Sequence, residues 1–127
     1  MQDKYLFEYA VIRFVPRVER EEFLNIGVIL FCAKQKFLEV KYQLDESRIR
    51  ALFINQDIEE LKEQICSIER ICLGEKDAGP IAKLDLASRF RWLTATRSTV
   101  VQTSKVHPGF CADAKDALEK LFEQLVV

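Results

Sequence analysis

The stretch EFLNIGVILFCAKQKFLEVKYQL, residues 22–44, decides the fold of this chain. Its final part, 37–44, alternates between apolar and polar side chains, which predicts a half-buried strand with Glu39 and Lys41 facing outward. Its first part, 22–33, is apolar on both faces, which is typical of a central strand covered on each side. Only the tripeptide KQK separates the two parts, so we expect them to pair as an antiparallel hairpin.

Two further strands are expected outside this hairpin. Upstream, YLFEYAVIRFV (5–15) is rich in aromatic and β-branched residues and predicts a strand that ends at Pro16. Downstream, RSTVVQTSKVHPG predicts a strand over 97–106 and a turn at Pro108-Gly109. In the central strand, the even-numbered residues from Leu24 to Cys32 are all apolar and are expected to share one face.

Elsewhere the apolar residues recur with the period of a helix. The pattern predicts helices over 45–53, from the cap Asp57 to the stop at Gly74, over 84–94, and over 113–126 behind the cap Asp113. The order β-β-β-α-α-α-β-α predicts an α+β fold, an antiparallel β-meander of three N-terminal strands plus a later fourth strand, with about four helices packed on it. The 127 residues fit a single domain, 1–127.

The composition argues against several classes of function. Nineteen basic and 20 acidic residues leave a net charge of -1, which removes bulk charge as a reason to bind nucleic acid or an anionic membrane. No apolar run approaches the roughly 18 residues of a membrane span. The N-terminal sequence is unlike a secretory signal, so we expect a cytoplasmic protein whose four cysteines are buried or half-buried thiols. With no C-x-x-C pair and one histidine, we expect neither a metal site nor a cofactor.

A first group of unexpected polar residues surrounds the end of the first strand. Arg13 sits on an otherwise apolar strand face, and such a cation must pair, bind an anion or extend to water. Arg17 follows it, and Glu22 and Asn25 come near if the first two strands form a hairpin. One interpretation is an ion pair from Arg13 or Arg17 to Glu22, and the other is a site for an anion.

A second group lies on the predicted third helix, in the sequence RFRW. Arg89 precedes Trp92 by three residues, so its guanidinium is placed to stack on the indole. Together with Arg91 it offers a grip for phosphate or carboxylate, because the guanidinium fork suits both. The alternative is a solvated helix face beside a core tryptophan.

The third group is the predicted strand 97–106 and its continuation. It carries Arg97, Ser98 and Gln102, and neither of its faces is cleanly apolar, which favours an edge strand or a strand that lines a cleft. His107 follows with no neighbouring nucleophile motif. A single histidine before Pro-Gly is typical of a turn residue whose ring bonds a neighbouring backbone group. A role for His107 as general base has only weak support, and so does a role for Glu22 as acid or base.

Two long blocks resemble a known family. YAVIRFVPRVEREEFLNIGVILFC and RFRWLTATRSTVVQTSKVHPGFCADAKDALEKLFEQLV are similar to the bacterial domain-of-unknown-function family numbered three thousand and thirty-seven. Its pattern falls on Arg13, Pro16, Arg17, Glu19, Glu22, Asn25, Gly27, Arg89, Phe90, Trp92, Arg97, Ser98, Gln102, His107 and Gly109. Members often have an x-Pro step where Ala95-Thr96 stands and a proline where Lys105 stands, so these two loops are expected to differ in shape.

The resemblance implies no known reaction. Members are often encoded beside kinases of the HipA (high-persistence) type, which implies a protein partner, and the shared polar positions imply one common cleft or interface. The candidate binding residues are Arg13, Arg17, Glu22, Asn25, Arg89, Arg91, Trp92, Arg97, Ser98, Gln102 and His107.

Three hypotheses about function follow. The first is a non-enzymatic module that binds or regulates a HipA-like kinase, with the strand 97–106 offering an edge for pairing. The second is a phosphate- or nucleotide-binding enzyme, in which arginines grip the anion and Glu22 or His107 handles protons. A nucleic-acid binder comes third, because neither a basic face nor a recognition-helix pattern is visible.

Overall fold

A computed structural model of the chain describes residues 5–17, 20–52, 58–95 and 100–127. Within those residues it forms an antiparallel sheet of five strands with four helices, which confirms the predicted α+β class and adds one strand. The elements are β1 (Tyr5–Phe14), β2 (Leu24–Cys32), β3 (Phe37–Tyr42), α1 (Glu46–Leu52), α2 (Ile58–Leu73), α3 (Leu86–Leu93), β4 (Val101–Thr103), β5 (His107–Cys111) and α4 (Ala114–Leu125). The cap predicted at Asp57 lies outside the described residues.

The strand β1 is the centre of the sheet. The order is β3-β2-β1-β4, so the three N-terminal strands form the predicted meander, and β5 also pairs with β1 beyond β4. The later part of the chain therefore supplies two short strands that follow each other along one side of β1. Gln102 of β4 pairs with Arg13, and His107 of β5 pairs with Tyr9. Both short strands form the outer edge of the described sheet.

The turn predicted at Pro108-Gly109 is wrong, because both residues lie inside β5. Pro108 pairs with Glu8 and Gly109 pairs with Phe7. An edge strand tolerates proline because the missing N–H can face away from the sheet. Gly109 is needed for contact rather than for a turn, since a Cβ atom there would lie 2.5 Å from Cζ of the Phe7 ring.

A hydroxyl group joins the sheet where β4 ends and β5 has not yet begun. The backbone N–H of Ser104 donates to the carbonyl of Val11 at 2.8 Å, and the N–H of Val11 donates to Ser104 Oγ at 2.9 Å. The side chain thus replaces the backbone carbonyl that an unbroken ladder offers. Ser104 Oγ in turn donates to the carbonyl of Lys105 at 2.9 Å.

A β-bulge in β2 overturns the prediction that its even-numbered residues share a face. Ile12 pairs with Gly27 but Arg13 pairs with Asn25, so Ile26 is an extra residue in β2. One extra residue exchanges the two faces of a strand from that point on. Of the even-numbered set, Leu24 and Ile26 pack in one core cluster, whereas Val28, Leu30 and Cys32 pack in the other.

Two helical layers cover the sheet. On one side, which we call the three-helix face, α1, α2 and α3 bury residues such as Ile49, Leu61 and Phe90 against it. On the other side, the α4 face, α4 buries Ala114, Leu118 and Phe122. The members from the sheet on the α4 face are Phe7, Val28, Leu30, Cys32 and Cys111. Burying one side chain of the size of leucine or phenylalanine stabilises the fold by about 1.5–3 kcal/mol.

The outward-facing residues predicted in β3, Glu39 and Lys41, are 41 % and 38 % exposed in their side chains and also contact α4. Lys41 Nζ donates to Glu119 Oε1 at 2.6 Å, and Lys115 Nζ donates to Glu39 Oε1 at 2.9 Å. These ion pairs attach α4 to the edge strand. The polar residues of β3 are therefore partly exposed and paired with charged residues of α4.

The four cysteines are free thiols in the structure. Cys32, Cys72 and Cys111 are buried as expected, but Cys66 is exposed on α2, which corrects the expectation that all four are buried or half-buried. In the described part of the chain, every helix is too short or too polar to cross a bilayer.

Candidate functional site

The structure brings three of the candidate residues into one row across the sheet. Arg13 of β1 pairs with Asn25 of β2 on one side and with Gln102 of β4 on the other. Directly paired residues of antiparallel strands share a face. Arg13 alternates in step with Phe7, whose ring lies in the α4-face cluster. The row therefore lies on the α4 face, at the end of β1 nearest the bulge.

The guanidinium of Arg13 is held by contacts other than an ion pair. Its central carbon lies 4.2 Å from the centroid of the Phe23 ring, which is a cation–π contact. Its Nε atom is buried without a hydrogen-bond partner. None of the ion pairs among the described residues includes Arg13. Arg13 is therefore a cation that no carboxylate of the described residues approaches within ion-pair distance.

A pocket of about 300 Å³ opens beside this cation, and we call it the Arg13 pocket. Its lining combines the cation, an acid, an amide and two apolar groups: Arg13, Glu21, Gln102, Val15 and Phe23. Glu21 has a backbone φ of 56°, which is uncommon for a residue other than glycine. Sequence reasoning missed both Glu21 and Phe23. The signal available was their place in the link between two paired strands, opposite an arginine.

Asn25 has a structural role as well as a place in the row. Its Nδ2 donates to the carbonyl of Leu125 at 3.1 Å, near the end of α4. Arg48 Nη1 reaches the next carbonyl, that of Val126, at 3.2 Å. Carbonyls at a helix C-terminus lack partners within the helix, so these contacts anchor α4 to the sheet. The Oδ1 atom of Asn25 is buried without a hydrogen-bond partner.

The ion pair predicted for Glu22 goes to a different arginine. Arg20 Nε lies 2.5 Å from Glu22 Oε1, and both side chains are more than half exposed. An exposed pair of this kind contributes at most about 1 kcal/mol. The interpretation in which Arg13 or Arg17 pairs with Glu22 is therefore wrong, and Arg17 is exposed just after β1.

The two weak candidates for proton transfer are not brought together. His107 is exposed at the start of β5, with its ring 5.4 Å from that of Tyr9. Tyr9 and Arg13 are four positions apart along β1, so His107, which pairs with Tyr9, lies about 13 Å along the strand from the row. Glu22 precedes Leu24, which pairs with Phe14 on the far side of Arg13. The geometry gives no acid–base pair from these two residues.

The second group of candidates lies on the opposite face of the sheet. Arg89 has a structural role, because its Nη1 donates to the carbonyls of Ile71 and Cys72, each at 3.0 Å. Arg89 thus caps the C-terminus of α2, a role that neither interpretation of the sequence included. Its Nε atom is buried without a hydrogen-bond partner.

The neighbours of Arg89 on α3 stay near the surface. Arg91 is exposed, and Trp92 is 43 % exposed, so it is not the core tryptophan of the alternative interpretation. Trp92 lines a groove of about 330 Å³ together with Gln64, Ser67, Ile68, Ile71, Leu93 and Val101. The α3 part of the second block and the first block therefore do not share one cleft. Arg97 and Ser98 lie outside the described residues.

The fold raises the pKa of one thiol and one phenol elsewhere in the structure. Burial raises the pKa of the Cys72 thiol to about 12. Burial and a hydrogen bond to Glu69 raise the pKa of the Tyr42 phenol to about 12. Among the described residues, no cluster of histidine, cysteine, aspartate and glutamate is arranged to hold a metal ion.

Residues 9–126 match the model of a family described as "Protein of unknown function (DUF3037)". The chain belongs to this family. The DUF3037 match spans from the middle of β1 to the end of α4 and so includes the whole row Asn25–Arg13–Gln102 and His107. Searches of the curated proteins and of the solved structures find no match to the chain.

Proposed function

We propose that this chain is a non-enzymatic protein-binding module. The partner is seated on the α4 face around Arg13 and Gln102, next to the outer edge formed by β4 and β5. The observation that carries the proposal is Arg13 itself, a cation fixed against Phe23 and without an ion pair among the described residues. Arginine is enriched among the residues that dominate binding energy in protein interfaces.

Two features of the β4–β5 side of the sheet are also typical of protein interfaces. The strand β5 lies at the outer edge of the described sheet, and an edge strand is the surface that strand addition uses. Beside that edge, Leu6 and Phe110 pair across β1 and β5 and are 51 % and 65 % exposed. Leu6 lies seven positions from Arg13 along β1 and on the other face of the strand, so this exposed apolar pair marks a second surface at the same side of the sheet and not an extension of the Arg13 row.

The partner that we propose is a HipA-like kinase, which this chain would bind or regulate in the cytoplasm. The support is the resemblance to a family whose members are often encoded beside such kinases. The separation of His107 from Glu22 along β1 weakens the alternative, an enzyme that acts on a phosphate or nucleotide with these residues as acid and base.

The test is affinity capture of the tagged protein at its native level in its own host, followed by binding measurements with the purified partner. Arg13→Lys keeps the charge but loses the planar fork and the stack on Phe23. We expect the wild type to capture a HipA-like kinase in stoichiometric amount. For Arg13→Lys we expect the dissociation constant of the complex with that kinase to be at least tenfold larger.

The matched control is Arg50→Lys, which changes an exposed arginine on α1 that pairs only with Glu46 among the described acids. It should capture the kinase as the wild type does. Equal affinity of the wild type and Arg13→Lys would overturn the proposed surface. Capture that brings down no kinase would overturn the identity of the partner.

A further inference from the structure

We infer that the Arg13 pocket binds a carboxylate and discriminates against a phosphate dianion. The inference deepens the proposed function and rests on it only for the source of the carboxylate, which is an acidic side chain of the partner. The chemistry of the pocket itself is argued from the residues that line it.

The first step is the geometry of the cation. A guanidinium offers a planar fork of N–H donors that matches the two oxygens of a carboxylate. The fork of Arg13 is held in position by the Phe23 ring at 4.2 Å, and its Nε is buried. Because the side chain is already ordered, little conformational entropy remains to be lost when an anion binds.

The second step is the composition of the walls. Val15 is 7 % exposed and Phe23 is 46 % exposed, and both line the pocket with apolar surface. Such walls suit the methylene groups that carry the carboxylate of aspartate or glutamate. The volume of about 300 Å³ is at the lower end for small-molecule sites, and it accommodates one acidic side chain.

The third step is the acid on the rim. Glu21 lines the same pocket, so the described lining carries one positive and one negative charge. Glu21 offsets part of the attraction of Arg13 for each further negative charge on a ligand, whereas the cost of taking the ligand out of water rises more steeply than its charge. A carboxylate carries one charge and a phosphate monoester carries close to two near neutral pH. The pocket therefore favours the carboxylate.

The test uses NMR titration of the full chain, observing the Arg13 Nε–Hε signal and the side-chain amide of Gln102. The probes are sodium acetate, inorganic phosphate at equal ionic strength, and the capped peptides acetyl-Gly-Glu-Gly-amide and acetyl-Gly-Gln-Gly-amide. We expect saturable shifts with acetate and with the glutamate peptide, and at least tenfold weaker binding of phosphate and of the glutamine peptide. Tighter binding of the glutamate peptide than of acetate identifies a protein side chain as the ligand, and equal binding identifies a free carboxylate.

Two variants separate the contributions of the pocket. Arg13→Lys should weaken acetate binding about tenfold, the loss expected when a bidentate pair becomes a point charge, while Arg50→Lys leaves it unchanged. Glu21→Gln should increase phosphate affinity relative to acetate and keeps the cation in place. The backbone amide spectrum of each variant shows whether the fold is kept.

The outcomes for the pocket and for the module are distinguishable. Absence of a saturable shift with acetate, or phosphate binding as tight as acetate in the wild type, would overturn the carboxylate pocket. If the kinase is captured and Arg13→Lys weakens kinase binding, but acetate produces no saturable shift, the protein-binding module is supported and the carboxylate pocket is overturned. If acetate binds through Arg13 but the kinase binds all variants equally, the pocket stands and the proposed surface falls.

Discussion

The side chain of Ser104 performs a backbone function. Ser104 is the one polar residue that is buried among the described residues, and its hydroxyl accepts from the N–H of Val11 while donating to the carbonyl of Lys105. Without the hydroxyl, a buried N–H in the central strand of the sheet has no partner. An unsatisfied buried donor costs about 1–3 kcal/mol.

We therefore predict that Ser104→Ala lowers the free energy of unfolding by about 1–3 kcal/mol, measured by urea denaturation. Ser67→Ala is the control, because it removes an exposed hydroxyl from α2 and should change the stability by less than about 0.5 kcal/mol. Similar losses in the two variants would show that the hydroxyl of Ser104 contributes nothing specific to the sheet.

A second prediction concerns the glycine under the Phe7 ring. In Gly109→Ala the new Cβ meets Cζ of Phe7 at 2.5 Å, so the ring must move, and we expect a loss of about 1–3 kcal/mol in stability. In a Phe7→Leu background the ring is absent, and the same change should cost much less. The measurement is a double-mutant cycle of thermal or urea unfolding. Strictly additive losses would contradict the steric explanation.

At the scale of elements, α2 depends on a cap that comes from α3. Arg89 Nη1 satisfies the carbonyls of Ile71 and Cys72, and Gly74 with a φ of 69° ends the helix beside it. The space next to Gly74 is occupied by the same guanidinium, since a Cβ there would lie 2.9 Å from Arg89 Nη1. The helix end and the arginine side chain therefore pack as one unit.

We predict that Arg89→Ala lowers the free energy of unfolding by about 1.5–3 kcal/mol, the range for hydrogen bonds to a charged group. Hydrogen exchange should accelerate first in the last turn of α2. Arg91→Ala is the matched control on the same helix, and because Arg91 is exposed it should stay within about 0.5 kcal/mol of the wild type. An Arg89 variant as stable as the control would refute the capping role.

The elements that sequence reasoning placed well are those whose period is strong. The helices α3 and α4 begin behind aspartate caps, and Asp113 accepts from the N–H of Asp116. The bulge at Ile26 was not predictable from alternation. Because both faces of β2 are apolar, an extra residue that exchanges the two faces does not change the apolar pattern of the sequence. Pro108-Gly109 was misassigned because turn dipeptides are also tolerated in an edge strand.

Part of the site was predictable because its residues interrupt the apolar pattern of the strands. Arg13, Asn25 and Gln102 are polar residues in strands, and strand pairing alone brings them into one row. The role of Arg89 was not predictable, because the carbonyls that it caps belong to a helix that meets α3 only in the folded state. Glu22 found a partner two residues away in Arg20, a local contact that the hairpin argument passed over.

At the scale of the whole molecule, a thiol and a phenol with raised pKa values make the free energy of unfolding depend on pH in the alkaline range. The thiol of Cys72 has its pKa raised by burial from 9.0 to about 12, so between these values the unfolded chain releases a proton that the folded chain retains. The folded state is fully favoured below pH 9, and its stability falls as the pH rises toward 12. The Tyr42 phenol acts in the same direction from 10.0 to about 12.

We predict that Cys72→Ala flattens the decline of unfolding free energy between pH 9 and 11. The variant is less stable than the wild type at neutral pH, because a buried side chain is shortened. The measurement is urea denaturation at several pH values, and Ser67→Ala, which changes an exposed residue of the same helix that does not titrate, should keep the slope of the wild type. Parallel slopes for the Cys72 variant and the wild type would contradict the assignment.

The placement of α4 has a consequence for how the chain reaches this structure. During synthesis the ribosome delivers β1, β2 and β3 early. The strands on the other side of β1 begin about 70 residues after Cys32, and the helix that covers Phe7, Val28 and Leu30 begins about 80 residues after it. Until then a nascent chain carries an uncovered apolar sheet face. Chaperones bind such surfaces and aggregates bury them, so we expect a chain interrupted before α4 to bind holding chaperones more tightly than a chain that includes α4.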